Sequence, residues 1–311
     1  MTNKKGFSRC GELYIDRLRE EGRYSTAHVY KNALFSFSVF CGTCNVSFRQ
    51  ITRESLRLYG QYLYENGLKL NTISTYMRML RSIYNRGVEA GSAPYVPRLF
   101  HDVYTGVDVR QKKALPATEL HKLLYEDPKS ERLRRTQAIA ALMFQFCGMA
   151  FVDFAHLKKE NVRGGVLEYK RQKTGTPMLI EVQSTAWESL RELSSDVGKD
   201  SPYLFPFLKG IKVGKEAYKE YTSALAHFNR NLKRLARACG VSIPITSYSI
   251  RHSFAMILKE QDVPIEMISE LLGHKSIKTT QIYLKSFSLE KMSAVNKICF
   301  ESVYNHVPKV G

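Results

Sequence analysis

Through roughly the first 90 residues the apolar side chains recur at three- and four-residue intervals, a period that leaves room for helices only. The stretch "FSRCGELYIDRLREEG" carries Leu13, Tyr14, Arg17 and Leu18 before a glycine stop. "STAHVYKNALFSFSVFCG" opens on Ser25 or Thr26 as a cap and repeats Val29, Leu34, Phe37 and Phe40. "TRESLRLYGQYLYENG" takes Thr52 as its cap, sets Glu54 near the positive end of the helix dipole and stops at Gly67. "NTISTYMRMLRSIYNRGVEAG" caps at Asn71 and repeats Ile73, Tyr76, Leu80, Ile83 and Val88, with Arg78, Arg81 and Arg86 on other faces. Four helices of this length make a small bundle.

The period is lost from Gly91 to Pro116, which holds Pro94, Pro97 and Pro116 and ends on a basic "RQKK". Residues 91–115 therefore read as a linker between a helical domain, 1–90, and a second domain, 116–311. A chain of 311 residues exceeds the usual size of a single core, so two domains are expected on length alone. In the second part, "GGVLEYKRQKTGTPMLIEV" sets two β-rich runs around Lys173, Thr174, Gly175 and Thr176, a hairpin signal. Helical patterns then resume to the end. The expected fold class is mainly α with a small β-sheet.

Lys and Arg number 47 against 29 Asp and Glu, a formal charge of +18 at pH 7, and both parts of the chain share the excess. A surface this basic suits a polyanion, and double-stranded DNA is the expected partner. No run of about 18 apolar residues is present to span a bilayer, and the N-terminus lacks the apolar core of a signal peptide, so the chain reads as cytoplasmic with no membrane partner. The six cysteines are scattered, as reduced thiols are. "CGTC" at Cys41 to Cys44 has the form of a redox or zinc pair, but no second pair completes a ligand set, so no metal is expected.

"LLGHKSIKTTQIYLKSF", from Leu271 to Phe287, places a histidine and a tyrosine nine positions apart among lysines and threonines. A phenol is a poor nucleophile at neutral pH, but cations that hold a phosphate stabilise the charged transition state of its attack. Arginine suits that task because its planar fork makes two parallel bonds to non-bridging oxygens. "SYSIRHSFAM" supplies Arg251 and His252 in the first turns of a helix, where free amides already favour anions. The hairpin tip supplies Lys173, a mobile ammonium. Gly273 turns the chain and sends His274 and Tyr283 to opposite ends of a short helix starting near Ser276.

"RHSFA" followed by "LLGHKSIKTTQIYLK" resembles the closing blocks of the tyrosine recombinase, or phage integrase, family, with a tone and spacing similar to its Bacteroides-type integrases and DNA invertases. The resemblance implies an N-terminal SAM-like core-binding domain and an α+β catalytic domain that clamp a duplex between them. It implies a site-specific recombinase, serving DNA integration, excision or inversion in a mobile element or invertible locus. Tyr283 matches the nucleophile that forms a 3′-phosphotyrosine, Arg251 the second phosphate-clamping arginine, and His274 the residue that hydrogen-bonds the scissile phosphate. Lys173 matches the hairpin lysine proposed as general acid. The family works as a homo-tetramer on two recombination sites through a Holliday junction, with the segment after the nucleophile docking on a neighbouring subunit. Accessory DNA-bending proteins and a nucleoid location go with this. The energy of the broken bond stays in the protein–DNA bond, so no cofactor is required.

Two positions depart from the family pattern. Its first arginine falls at Ala150 in "CGMAFVDFAHL", although Asp153 keeps the acidic position that supports that arginine. Its H-x-x-R histidine is Tyr248, a phenol that donates a hydrogen bond but is no base at neutral pH. Losing a transition-state phosphate contact costs on the order of a few kcal/mol unless another cation substitutes. Lys173, His252 or a basic residue from elsewhere could complete the clamp. The alternatives are a catalytically impaired, sequence-specific DNA-binding relative and a type IB topoisomerase.

Overall fold

The computed structural model describes residues 6–108, 114–284 and 289–304. The chain divides into two compact units, one of Met1–Arg110 with Ile211–Glu220, the other of Gln111–Gly210 with Tyr221–Gly311.

The first unit is helical, with α1 Phe7–Glu20, α2 Tyr24–Phe40, α3 Arg53–Glu65 and α4 Leu70–Glu89. Its core is aromatic. Phe7 meets Phe37 and Phe48 edge-on at 6.1 and 5.6 Å, and Phe37 meets Tyr59 at 4.9 Å. The Tyr59 hydroxyl donates to Ser36 at 2.8 Å, which satisfies the polar end of a ring that is fully buried. Thr52 caps α3 as expected, accepting from the Ser55 amide at 3.1 Å. Two other expected caps do not form. Helix α2 starts at Tyr24, ahead of Ser25 and Thr26, and α4 starts at Leu70, ahead of Asn71. Asn71 instead uses its amide on the backbone of Asp108, donating to its carbonyl at 2.6 Å and accepting from its N–H at 2.8 Å.

That bond is one of several that fasten the proline-rich stretch to this unit. Tyr84 donates to the Pro94 carbonyl, Arg53 to that of Pro97 and Ser74 to that of Gly106. Leu99 and Phe100 are buried in the aromatic core. Residues 91–108 thus lack a helix yet pack on the first unit. The "RQKK" that ends the stretch falls within 109–113, outside the described residues. Of the three arginines on α4, Arg78 and Arg81 are exposed, whereas Arg86 lies 3.5 Å above the Tyr14 ring with its Nε buried. Arg86 is a packing group.

The second unit comprises α5 Ala117–Tyr125, α6 Glu131–Gln145, α7 Phe151–Ala155, β1 Val162–Arg163, β2 Val166–Lys170, β3 Pro177–Glu181, α8 Trp187–Ser195, the body of α9 Gly214–Ala238, α10 Ser247–Glu260, α11 Ile265–Leu271, α12 Ile277–Tyr283 and α13 Leu289–Tyr304. The strands form one antiparallel sheet in the order β1-β2-β3, with Leu167 opposite Ile180 and Lys170 opposite Pro177. The mainly α fold with a small sheet, a helical first unit and an α+β second unit, is the one expected. Helix α6 runs through the core, and Phe154 stacks on Phe205 at 4.4 Å while Phe151 stacks on Phe228 at 4.9 Å. Among the described residues, no helix is long and apolar enough to cross a membrane.

Gly87 on α4 is the close approach that lets Phe48 fill the first unit's core. A Cβ there would lie 2.2 Å from the Phe48 ring, which is itself wedged between Phe7 and Tyr84. Gly87→Val is expected to destabilise the first unit by about 1–3 kcal/mol through overpacking, read as a lower urea midpoint with an unchanged m-value.

Candidate active site

Three local structures converge on one cationic site. The first is the turn after α11. Its end is a Schellman motif: the Gly273 amide donates to the Glu270 carbonyl at 2.7 Å and the His274 amide to the Ser269 carbonyl at 2.9 Å. Gly273 has φ of +60°, and a Cβ there would also strike Met178 Sδ at 2.5 Å and Arg171 Cδ at 2.6 Å. Glycine is required twice over, by conformation and by space. The turn aims the carbonyls of Leu272 and Gly273 at the hairpin and delivers His274 ahead of α12, whose N-cap is Ser276 and whose last residue is Tyr283.

The second is α10. Thr246 and Ser249 form its capping box, and Arg251 lies in its second turn with 3% of its surface exposed. The Arg251 guanidinium donates to the Gly148 carbonyl at 3.1 Å and to the Leu272 carbonyl, and meets His274 Nε2 at 3.3 Å. Gly148 holds a positive φ of +62° in the turn between α6 and α7, with α10 pressed against it. His252 is buried at 3% exposure, and Tyr248 stands exposed in the first turn.

The third is the β2–β3 hairpin. Leu167 and Tyr169 face inwards along β2, and Arg171, next in that alternation, is buried at 6%. Its Nε donates to Asp153 at 3.3 Å, and its Nη1 to the carbonyls of Leu272 at 3.0 Å and Gly273 at 2.9 Å. Asp153, 2% exposed on α7, also accepts from the Gln172 amide at 2.7 Å. Lys173 is exposed in the tip that Gly175 closes with a φ of +69°. Ala150 is the N-cap of α7, half-buried and without charge.

Of the residues expected from the sequence, the fold brings Arg251 and His274 into direct contact, links Asp153 to the same Leu272 carbonyl through Arg171, and leaves Lys173 exposed at the hairpin tip. The side chain of Tyr283 lies outside the described residues. Sequence reading passed over Arg171, although a period-two count along "VLEYKR" places it on the inward face, where a charge demands a partner. Among the described residues no group of three or more His, Cys, Asp or Glu side chains could hold a metal ion.

Burial, then the fields of Arg251, Arg171 and Lys173, push the His274 imidazole down from its usual 6.5 to about 4. It is neutral at pH 7. With Nε2 facing the Arg251 donor, the network assigns the ring proton to Nδ1, which donates to the buried Thr280 hydroxyl at 2.8 Å. The site therefore carries its positive charge on guanidinium and ammonium groups.

Residues 113–290 match the Phage integrase family and residues 7–99 the Phage integrase SAM-like domain. A tyrosine recombinase of Pseudothermotoga lettingae is 24% identical over 303 residues, covering 93% of this chain and 96% of its own length. The fold is similar to that of XerH site-specific recombinase bound to palindromic difH substrate, with a TM-score of 0.68, 20% identity, and coverage of 92% of this chain and 84% of that one. It is similar also to a lambda integrase tetramer bound to a Holliday junction, with a TM-score of 0.59, 16% identity, and coverage of 88% and 77%.

Because the folded His274 resists protonation, the unfolded chain holds more protons between pH 6.5 and 4, and stability falls as pH drops through that window. The His274 ring resonances are expected to keep neutral-form shifts at pH 5.5 and to titrate near 4, in a histidine-resolved NMR titration. A midpoint at the usual 6.5 would contradict the site as described.

Proposed function

The chain belongs to the phage integrase family of tyrosine recombinases, and we propose that it cuts and rejoins specific DNA sites through Tyr283, with a 3′-phosphotyrosine and a Holliday junction as intermediates. The observation that carries this reading is the Arg251–His274 contact over the Leu272 carbonyl, on the short segment that leads to Tyr283.

In the proposed reaction the Tyr283 oxygen attacks the scissile phosphorus, and its proton leaves to solvent. The new bond is phosphorus to tyrosyl oxygen, and the bond that breaks is phosphorus to the 5′-oxygen. Arg251 donates to the non-bridging oxygens, where charge builds up in the transition state. For His274, neutral, to donate to the phosphate, its ring proton sits on Nε2 when DNA is bound and the Thr280 hydroxyl donates to Nδ1 in turn, a contact that adds no charge. Lys173, exposed and without a hydrogen bond among the described residues, gives its proton to the departing 5′-oxygen. A 5′-hydroxyl from a second duplex then attacks the phosphotyrosine by the same path reversed. Tyr248 and His252 are supporting residues on α10. The helical first unit adds a DNA-holding surface, and four subunits act together on two sites, with α13 as the segment that docks on a neighbour.

Ala150 favours a second reading, a relative that occupies DNA sites without cutting them. One experiment separates the two. The binding site is first selected from random duplexes, and the protein is then given a nicked suicide version of it. Recombination requires a covalent adduct that survives denaturation and is lost in Tyr283→Phe. Salt-sensitive retardation of DNA with no adduct leaves the binding reading alone.

A general acid at Lys173 makes a further prediction. Lys173→Ala is expected to slow adduct formation by roughly 10²–10⁴-fold on the natural phosphodiester. A substrate whose 5′-bridging oxygen is sulfur, a leaving group that needs no proton, should restore most of that rate.

A further inference from the structure

We propose that Arg171 donates to the scissile phosphate in the place of the arginine that Ala150 lacks, with Asp153 as the residue that positions it. The inference rests on the recombinase reading and names a ligand of the same site.

Asp153 is the starting point. A carboxylate that is 2% exposed needs a cation, and the helix that carries it has alanine three residues earlier. The cation comes instead from the end of β2, as Arg171 Nε. Burying this guanidinium is costly, and a packed apolar side chain would often serve stability as well or better. A buried ion pair at this spot is thus weak evidence for a structural role.

The direction of the fork supplies the rest. Arg171 Nη1 and Arg251 Nη2 both donate to the Leu272 carbonyl, so the two groups stand within roughly 5–7 Å of one another. Like charges at that separation repel, and one buried carboxylate, Asp153, answers Arg171. The Nη1 bond to the Gly273 carbonyl at 2.9 Å sets the guanidinium against the residue that precedes His274. Nε and Nη1 are committed to protein acceptors, while Nη2 makes no hydrogen bond among the described residues. Its two N–H groups are left to donate to an anion.

The arginine would then come from the hairpin rather than from α7. It lies two residues from Lys173, so a single turn carries both a phosphate ligand and the proposed acid.

The experiment uses the full chain on the suicide substrate, made once with the natural scissile phosphodiester and once with a neutral methylphosphonate at that position. Arg171→Ala is expected to form adduct roughly 10²–10³-fold more slowly than wild type on the phosphodiester, with DNA retardation retained. On the methylphosphonate, which has no charge to neutralise, the deficit should shrink to within about tenfold. Arg171→Lys keeps a buried cation for Asp153 but loses the fork, so it tests the idea if the alanine variant does not fold. It should show a smaller deficit with the same rescue. In Arg171→Ala combined with Ala150→Arg, adduct formation on the phosphodiester should recover in part. The proposal is overturned if Arg171→Ala and Arg171→Lys cut within a few-fold of wild type, or if their deficits are equal on both substrates. Absence of any wild-type adduct would bring down the recombinase reading itself, whereas a normal wild type with indifferent Arg171 variants brings down this assignment alone.

Discussion

The Leu272 carbonyl accepts from two guanidiniums that reach it from different elements, Arg171 from the β2–β3 hairpin and Arg251 from α10. That convergence needs the chain to leave α11 in a left-handed turn, because only there do the last carbonyls of the helix face outwards towards both donors. Gly273 makes the turn sterically possible and lets the Arg171 stem and Met178 press against it. The same turn sets His274 beside Arg251 and starts the helix that ends at Tyr283. The hairpin, α10, α11 and α12 are thus held in register by one short stretch of backbone.

Among the described residues, cations dominate this junction. Two buried guanidiniums and a nearby ammonium are set against the Asp153 carboxylate, and the imidazole between them is kept neutral by burial and by their field. Burying such cations is costly, and on the proposed reading a phosphodiester would bring the negative charge that offsets them. The aromatic core of the second unit, with Phe154 stacked on Phe205 and Phe151 on Phe228, backs the elements that carry these side chains.

Much of this was legible in the residues themselves. The helical period of the first part, the hairpin around Lys173 and the turn at Gly273 are local signals, and each corresponds to the element observed. Local rules failed where a side chain found a distant partner. Asn71 reads as a cap but bonds the Asp108 backbone, and Arg86 reads as a surface cation but covers Tyr14. The prolines from Pro94 onwards announce irregular backbone, yet they carry no hint that Leu99 and Phe100 enter a core. Arg171 is the instructive case. Its inward position follows from the two-residue period of β2, but the basic run "KRQK" around it looks like a solvated turn.

By itself, the sequence determined the elements and the chemistry at hand: helices then a hairpin, a basic surface, and the Arg251, His274 and Tyr283 block whose spacing matches a known family. These are set by short-range periodicity and by motifs within a few turns of chain. Only the tertiary structure decided which cation Asp153 receives. Asp153 and Arg171 are 18 residues apart, and the carbonyls that orient the guanidinium lie more than 100 residues further along. No local period reports a contact across such distances; the pairing exists because burial leaves a carboxylate and a guanidinium no cheaper way to be satisfied than by each other.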